Sequence, residues 1–283
     1  MLPKVIHYCW FGGNPLPELA KKCIASWKKY FPDYEIKEWN ESNFDLNACA
    51  YVKEAYAAKK WAFVSDYARF WILYHHGGLY FDTDVEVVRS FDEILARGPL
   101  MGKEGEVKAQ NTADIPCNAG LGLAAAPGLG LYGEILKYYE TQHFIDQDGN
   151  INQETVVDKV TNLLKKYGYQ GNNEVECIQG VYIYPPEYFC PKSYSTGKLT
   201  ITSHTHSIHH YTASWFTSHE QRVLNFYQAV NSLFGVRIGE MISKPVHWEE
   251  GLRSRVQKYG WERTMQIYKE KVIASIRGGT KRS

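Results

Sequence analysis

The sequence predicts an α/β fold, and three observations support this prediction. Short β-rich runs alternate with helical patterns from the first residues onward. The longest helical pattern stops at two glycines and leads directly into a short apolar run, as a helix followed by a buried strand does. The chain has 283 residues, enough for one large domain or two small ones.

The first forty residues predict a β-α-β unit. Lys4–Phe11 is β-rich and ends at a glycine pair, which is typical of a strand. Leu16–Tyr30 places its apolar residues at helical spacing, and Tyr34–Trp39 alternates as a second strand. This opening favours a sheet with parallel strands.

The next segment is the longest apolar stretch with helical character. Tyr51–His76 is predicted to be helical throughout, as one helix or two, and to end at Gly77 and Gly78. Leu79–Phe81 is then a brief buried strand, and Asp82, Thr83 and Asp84 follow it.

The remaining pattern completes one α/β domain with a helical extension. Short strands and loops are expected over 90–128, helices over 129–143 and 153–167, and extended segments over 181–188 and 203–215. The last part of the chain is mostly helical in pattern. We therefore predict a main domain over residues 1–235 and a helical, basic C-terminal extension over residues 236–283.

Charge and cysteine usage exclude several classes of protein. The chain has 32 Lys and Arg against 31 Asp and Glu, a net charge of +1, which argues against a nucleic-acid binder. The N-terminus has no signal-peptide pattern, no run of 18 apolar residues occurs, and the six cysteines form no C-x-x-C pair. These features predict a cytoplasmic location.

The basic tail adds a second expectation. Residues 244–283 carry a local charge of +6, and Trp261–Ile276 has an apolar stripe at helical spacing. Such a helix fits peripheral contact with an anionic inner membrane face. The alternative is a helix that packs its stripe on the main domain and leaves its cations in solvent.

The strongest chemical signal is the Asp82-Thr83-Asp84 motif. Two carboxylates at the end of a buried strand are hard ligands for Mg²⁺ or Mn²⁺, and such an ion can hold a diphosphate. A D-x-D motif alone is common and can be no more than a charged loop, but the preceding helix, glycine pair and strand make this one more specific.

A second signal lies upstream, where Ser65-Asp66-Tyr67-Ala68-Arg69 places Asp66 and Arg69 on one helix face. An exposed pair of this kind is worth little. The surrounding helix is apolar almost all round, however, so these charges are expected to be buried and to have a function.

Four of the ten histidines cluster in a polar segment, at His204, His206, His209 and His210. They form either a polar surface strand or the source of one imidazole ligand for the ion held by Asp84. Their spacing fits no closed zinc site.

Taken together, HYCWFGG, SDYAR, GGLYFDTD and HHYTASW resemble glycosyltransferase family 32, over about residues 3–125 and 204–216. This family includes bacterial capsular and polysaccharide sugar transferases and yeast initiating mannosyltransferases, and it has a core similar to that of the large glucosylating toxins. The resemblance implies a GT-A fold, a divalent metal (Mn²⁺ or Mg²⁺) and retention of anomeric configuration. It also implies transfer of a hexose, galactose or glucose as the best guess, from a UDP-sugar to a glycan or glycolipid in surface polysaccharide or glycolipid synthesis.

The resemblance assigns five residues to the nucleotide and sugar of the donor. Trp10 resembles the residue that stacks on the base, and Asn43 a polar contact to the nucleoside. Ser65 belongs to the same donor-binding motif as Asp66 and Arg69, which resemble the catalytic pair that grips the sugar and phosphate groups.

The remaining assignments concern the metal, the diphosphate and the reacting sugar. They are Tyr80 beside the diphosphate, Asp82 at ribose and metal, Asp84 as direct metal ligand, Asn118 near the reacting sugar, His210 as third metal ligand, and Ser214 and Trp215 at the leaving group. His209 takes the place of His210 if the register shifts by one residue.

Two other functions remain open from the residues alone. A phosphohydrolase of the haloacid-dehalogenase type also carries D-x-D after an apolar strand. Its motif has Thr or Val two residues beyond the second Asp, whereas this chain has Glu86 there. A non-catalytic sugar-binding module would predict disrupted metal ligands, whereas both aspartates and a histidine are present. Metal-dependent hydrolysis of a nucleotide sugar separates the first hypothesis from both.

Overall fold

The computed structural model describes residues 2–105, 114–147, 149–152, 154–212 and 218–235. The described strands, in chain order, are β1 (Val5–Cys9), β2 (Glu35–Trp39), β3 (Gly78–Tyr80), β4 (Val85–Val87), β5 (Leu100–Lys103), β6 (Cys117–Asn118), β7 (Leu123–Ala125), β8 (Glu176–Ile178), β9 (Val181–Tyr184) and β10 (Ser207–His209). The described helices are α1 (Glu18–Tyr30), α2 (Ala50–Ala57), α3 (Trp61–His76), α4 (Asp92–Leu95), α5 (Gly130–Glu140), α6 (Val156–Lys166), α7 (Pro186–Phe189) and α8 (Ser218–Phe234).

The strands of the described residues form two sheets. The larger sheet has the order β2-β1-β3-β7-β5-β9-β8, with β6 added on β5. Strands β2, β1 and β3 are parallel to one another, and β7 pairs antiparallel with β3. The smaller sheet pairs β4 antiparallel with β10. The parallel strands end at one edge of the large sheet, so the loops after β1 and β3 meet there.

Helices cover both faces of the large sheet, so the sheet has a core on each side. Successive residues of a strand point to opposite faces and therefore belong to different cores. Tyr80 belongs to the core beneath α2, α3, α5 and α6, whereas Leu79 and Phe81 belong to the core beneath α1, α4 and α7. The predicted α/β class is therefore confirmed.

The passage from α3 to β3 depends on glycine. Gly78 has φ +98°, and a Cβ atom there would lie 2.6 Å from the carbonyl oxygen of Val5. Any other residue would push β3 away from β1. This turn brings Arg69 on α3 back over the residues that follow β3.

The predicted helical segment over 51–76 is two helices. Lys59 adopts φ 57°, the left-handed region, between α2 and α3, and this interrupts the helical hydrogen bonds. The helices predicted over 129–143 and 153–167 appear as α5 and α6 with shorter bounds. The extended segments predicted over 181–188 and 203–215 contain β9 and β10, but Pro186–Phe189 forms the short helix α7 instead.

The chain divides into two compact units. The first comprises Met1–Tyr194 and Lys198–Phe216, and it contains both sheets. The second comprises Ser195–Gly197 and Thr217–Ser283, of which α8 is described. The predicted extension over 236–283, with its stripe from Trp261 to Ile276, lies outside the described residues, so that boundary stays a prediction. In the part of the chain that is described, no helix is long and apolar enough to cross a membrane.

Candidate active site

The candidate site lies where β3 ends, at Asp82 and Asp84. The backbone N–H of Asp82 donates to the carbonyl of Gly120 at 3.3 Å, and the N–H of Val85 donates to the carbonyl of Asp82 at 3.0 Å, so the motif turns tightly between β3 and β4. Both carboxylates are held by residues from other parts of the chain.

Arg69 joins the two sequence motifs of the site. Its Nη2 lies 2.9 Å from Asp66 Oδ1 and 3.3 Å from Asp82 Oδ1. Its Nε donates to the carbonyl of Ser65 at 3.1 Å, and its guanidinium carbon lies 5.1 Å from the ring centre of Tyr80. Tyr80 donates its hydroxyl to Asp82 Oδ1 at 3.0 Å. The arginine side chain is only 4% exposed, so it is a buried cation between two carboxylates.

Burial shapes the ionisation of this cluster. Desolvation raises the pKa of Asp66 to about 6, although Arg69 lowers it. Desolvation likewise raises the pKa of Asp82, with Arg69 opposing. For Arg69, burial lowers the pKa, but the charge of Asp82 and its neighbours outweighs this and the pKa is raised, so the guanidinium stays charged.

Asp84 is held by a different set of partners. Its Oδ2 accepts hydrogen bonds from the backbone N–H and the hydroxyl of Thr212, both at 2.9 Å. Its Oδ1 lies 3.3 Å from Nε2 of His209. Burial alone would raise the pKa of Asp84, but His209 and Thr212 together lower it well below its ordinary value. The carboxylate is therefore ionised, and one of its oxygens is left to face the imidazole.

The structure places His209, the alternative to His210, beside Asp84, so we propose His209 as the third ligand. Nε2 of His210 lies 2.8 Å from Oε2 of Glu86, which also pairs with Lys22 at 3.0 Å. Ile208 pairs with Glu86 between β10 and β4, so His210, two residues on, shares the face of Glu86. Its neighbour His209 points to the other face.

The donor set around Asp84 fits a divalent cation chemically. Within the described stretches, no three His, Cys, Asp or Glu side chains already form a metal cluster. Carboxylate oxygens and an imidazole nitrogen are ligands that such a cation accepts. Burial lowers the pKa of His209, but the charge of Asp84 outweighs this and raises it, so His209 would have to lose its proton to bind an ion. Asp82, Asp84 and a neutral His209 would then hold the ion.

Asn118 lies beside this cluster. Its amide Nδ2 donates to Glu104, and its Oδ1 accepts from the N–H of Gly120 at 2.6 Å. The Asp82 carboxylate packs directly against the backbone of Gly120. A Cβ atom on Gly120 would collide with Asp82 Oδ2, so position 120 has no room for a side chain.

The residues that the resemblance assigns to the nucleotide and donor sugar, Trp10 and Ser65, make hydrogen bonds to nearby backbone carbonyls. Trp10, just after β1, is half-buried, and its ring N–H donates to the carbonyl of Asn14 at 2.5 Å. Ser65 donates to the carbonyl of Trp61 at 3.2 Å.

Asn43 is exposed, and both ends of its amide bind the loop between residues 38 and 43, so its side chain holds that loop. Its contact with a nucleoside stays a prediction. Ser214 and Trp215 lie outside the described residues.

Sequence reasoning missed three residues of this region. Thr212 donates hydrogen bonds to Asp84, and Glu104 accepts one from Asn118. Lys192 donates to the carbonyl of His210 at 2.8 Å, and its ammonium group there feels the charge of Asp84. Thr212 lies within the quoted HHYTASW motif, so it carried a signal. Glu104 and Lys192 stand in no motif, and only tertiary structure brings them here.

Comparison with known families agrees with this geometry. Residues 17–100 match the family described as "Glycosyltransferase sugar-binding region containing DXD motif". This range includes Asp66, Arg69, Asp82 and Asp84. This part of the chain is therefore similar to the sugar-binding region of DXD glycosyltransferases. The resemblance to glycosyltransferase family 32 is thereby confirmed over this stretch.

Two curated relatives are each similar to about a third of this chain. Inositol phosphoceramide mannosyltransferase 1 of Schizosaccharomyces pombe is 28% identical over 111 residues, 35% of this chain and 33% of the relative. Inositol phosphoceramide mannosyltransferase 3 of the same organism is 30% identical over 106 residues, 33% of this chain and 27% of the relative. The chain thus spans about a third or less of the length of these relatives.

Among solved structures, the PaToxG glycosyltransferase is similar at 22% sequence identity, with a TM-score of 0.43, over 58% of this chain and 69% of that one. This likeness is too distant to support an argument about the site. The predicted GT-A type of α/β fold is confirmed on the sheet itself, because the DXD motif follows a parallel strand of a mixed sheet covered by helices on both faces.

Proposed function

We propose that this glycosyltransferase moves a hexose from a UDP-sugar to a glycan or glycolipid acceptor, with a divalent metal and with retention of anomeric configuration. The observation that carries the proposal is the buried Arg69 between Asp66 and Asp82, next to Asp84 and its partner His209. This places one fixed cation and a cluster of carboxylates at the end of β3.

Arg69 supplies charge for the leaving group. Breaking a sugar–phosphate bond leaves a diphosphate with growing negative charge, and a preorganised cation in a water-poor site stabilises it strongly. Three contacts to protein hold the guanidinium in place, so little reorganisation is needed when the donor binds.

Asp82, Asp84 and His209 would hold the divalent ion, which supplies further positive charge at the diphosphate when bound. Thr212 occupies Oδ2 of Asp84 with two hydrogen bonds and so directs Oδ1 to the ion. Tyr80 binds Oδ1 of Asp82, and Arg69 contacts both of its oxygens, so these two residues fix the orientation of the Asp82 carboxylate.

Asp66 is suited to accept hydrogen bonds from sugar hydroxyls, because its carboxylate is buried beside Arg69 and has few competing donors. The carboxylates Asp66, Asp82 and Asp84 are each tied to donors of the protein. We therefore favour attack by the acceptor hydroxyl from the leaving-group face over a covalent glycosyl-enzyme.

The sugar and the acceptor are the finer part of the proposal. Galactose and glucose are the first choices, and the names of the two curated relatives add mannose as a second candidate. Those names also agree with a glycolipid acceptor. We place the enzyme in the cytoplasm, with the basic residues 244–283 in peripheral contact with the inner membrane face, where a lipid-linked acceptor would lie.

The contacts of Tyr80 and Arg69 with the Asp82 carboxylate also argue against a phosphohydrolase of the haloacid-dehalogenase type. In that mechanism the first aspartate of the motif is the nucleophile. Here hydrogen bonds from Tyr80 and Arg69 engage the Asp82 carboxylate, and these contacts reduce its nucleophilicity.

Hydrolysis of the donor tests the proposal without knowledge of the acceptor. The chain is incubated with UDP-galactose, UDP-glucose and GDP-mannose, each with Mn²⁺, with Mg²⁺ and with chelator. We expect hydrolysis of at least one donor, lost in chelator. Asp84→Ala should lower the rate by at least about 100-fold, the scale for a group that stabilises transition-state charge.

The control is Asp33→Ala, because Asp33 is 77% exposed and pairs with Lys4 at 3.7 Å. It should retain the wild-type rate. Full activity in chelator, or an Asp84→Ala variant as active as the control, refutes the metal-dependent mechanism.

A further inference from the structure

Glu104 is a carboxylate that no sequence motif includes, and it lies next to the candidate site. It directly follows β5, and its backbone N–H donates to the carbonyl of Pro116 at 2.8 Å. This continues the pairing in which Gly102 faces Asn118 across β5 and β6. The side chains of Glu104 and Asn118 consequently lie side by side and form a hydrogen bond.

This hydrogen bond decides which way the Asn118 amide faces. Nδ2 is a donor and Oδ1 an acceptor, so a carboxylate can bind only the nitrogen end. With Nδ2 held by Glu104, Oδ1 turns to the N–H of Gly120 at 2.6 Å. One N–H and one lone pair of the amide remain for a ligand. The carbonyl of Gly120 in turn accepts from the N–H of Asp82.

Glu104 also lies near Tyr211. The charge of the carboxylate acts on the Tyr211 hydroxyl, and that hydroxyl lies 2.7 Å from Cys190 Sγ. The ring of Tyr211 lies 4.4 Å from that of His209. Tyr211 also adopts φ 55°, a strained conformation for a residue with a side chain, which the surrounding contacts must impose.

Glu104 therefore connects two parts of the site that are distant in sequence. One is Asn118, assigned to the reacting sugar. The other is the segment after β10, whose His209 and Thr212 hold Asp84. An apolar side chain in its place would leave the Asn118 amide free to rotate, and an amide side chain could bind either end of it, so neither would fix its orientation.

We infer that Glu104 is a positioning residue of the transfer reaction, which acts by fixing the Asn118 amide against the donor sugar. The inference rests on the proposed function. A tie between two strands would also stabilise the fold, so the test needs a measurement that a purely structural role would not change.

The experiment is a double-mutant cycle on donor hydrolysis. Glu104→Gln, Asn118→Ala and the double variant are compared for kcat, donor KM, UDP affinity and melting temperature. Glu104→Gln should lower kcat by about 10-fold to 100-fold, the usual effect of removing a group that orients a site residue. Donor KM and UDP affinity should change little, because the nucleotide contacts are intact.

The cycle shows whether Glu104 acts through Asn118. In the double variant, kcat should fall no further than in Asn118→Ala alone, since there is no amide left to orient. Glu104→Asp keeps the charge and should recover part of the kcat. The matched control is Glu18→Gln, because Glu18 is 90% exposed and pairs with Lys21 at the surface.

Each other outcome contradicts the inference in a different way. Losses of kcat that multiply fully in the double variant, or a large fall in melting temperature that accompanies the loss in Glu104→Gln, overturn the positioning role. An active wild type with a fully active Glu104→Gln refutes the role of Glu104 alone. A wild-type chain that hydrolyses no donor refutes the proposed function and the inference with it.

Discussion

Replacing Asp66 with asparagine should make the protein more stable and less active at the same time. Asp66 lies in the buried face of α3, and its carboxyl is 12% exposed. Desolvation raises its pKa from 3.8 to about 6 in spite of the neighbouring Arg69. The ionised group is thus less favourable in the folded chain than in the unfolded one.

The size of this cost follows from the shift. Each pKa unit corresponds to about 1.4 kcal/mol, so a rise of about two units means about 3 kcal/mol of destabilisation above pH 6. The cost falls as the pH drops from 6 towards 4, because the carboxyl is then protonated in the folded state. Asp66→Asn removes the cost, and for a chain of this size about 3 kcal/mol corresponds to a rise in melting temperature of roughly 5–10 °C.

The assay is thermal unfolding of Asp66→Asn and wild type at pH 8 and at pH 4, without nucleotide. The stability gain should be large at pH 8 and close to zero at pH 4. Asp33→Asn, an exposed control, should change the melting temperature little at either pH. Donor hydrolysis by Asp66→Asn should be lost while UDP binding is largely kept, since a neutral amide accepts sugar hydroxyl protons less well.

Two results would refute this reasoning. A variant no more stable than wild type at pH 8 would show that Arg69 fully compensates the buried charge. A more stable variant with normal turnover would show that Asp66 is a structural residue. The expected combination, higher stability with lost activity, is typical of a group that is retained for function.

The first half of the site could be predicted because its signals are local. Asp66 and Arg69 are three residues apart in a helix, so their contact follows from helix geometry, and the structure shows it at 2.9 Å. The contact between Arg69 and Asp82 depends instead on the turn at Gly78, which brings α3 over the end of β3. The glycine pair indicated that turn, so this contact too had a signal.

The second half could not be predicted in detail, because it depends on pairing between distant strands. Adjacent strand residues point to opposite faces, so a shift of one residue exchanges His209 and His210. Which of them meets Asp84 is decided by the register of β10 on β4, more than 120 residues apart in sequence. The contact of Glu104 with Asn118 likewise depends on the pairing of β5 with β6.

Two further predictions concern the nucleotide and the metal. Trp10→Ala should weaken UDP binding, measured by calorimetry, by about 1–3 kcal/mol if the ring stacks on the base. A stably folded variant with unchanged affinity would reject that role, and one that unfolds would make Trp10 a core residue. His209→Ala should raise the Mn²⁺ concentration needed for half-maximal hydrolysis by at least about 10-fold, as expected for a lost ligand contact. His210→Ala removes only the part-exposed contact with Glu86, which is worth at most about 1 kcal/mol, so its metal requirement should stay near that of wild type. Because the two histidines are neighbours with the same side chain, each variant is the control for the other. A larger effect at His210 than at His209 would show that β10 carries the ligand on its other face when the metal is bound.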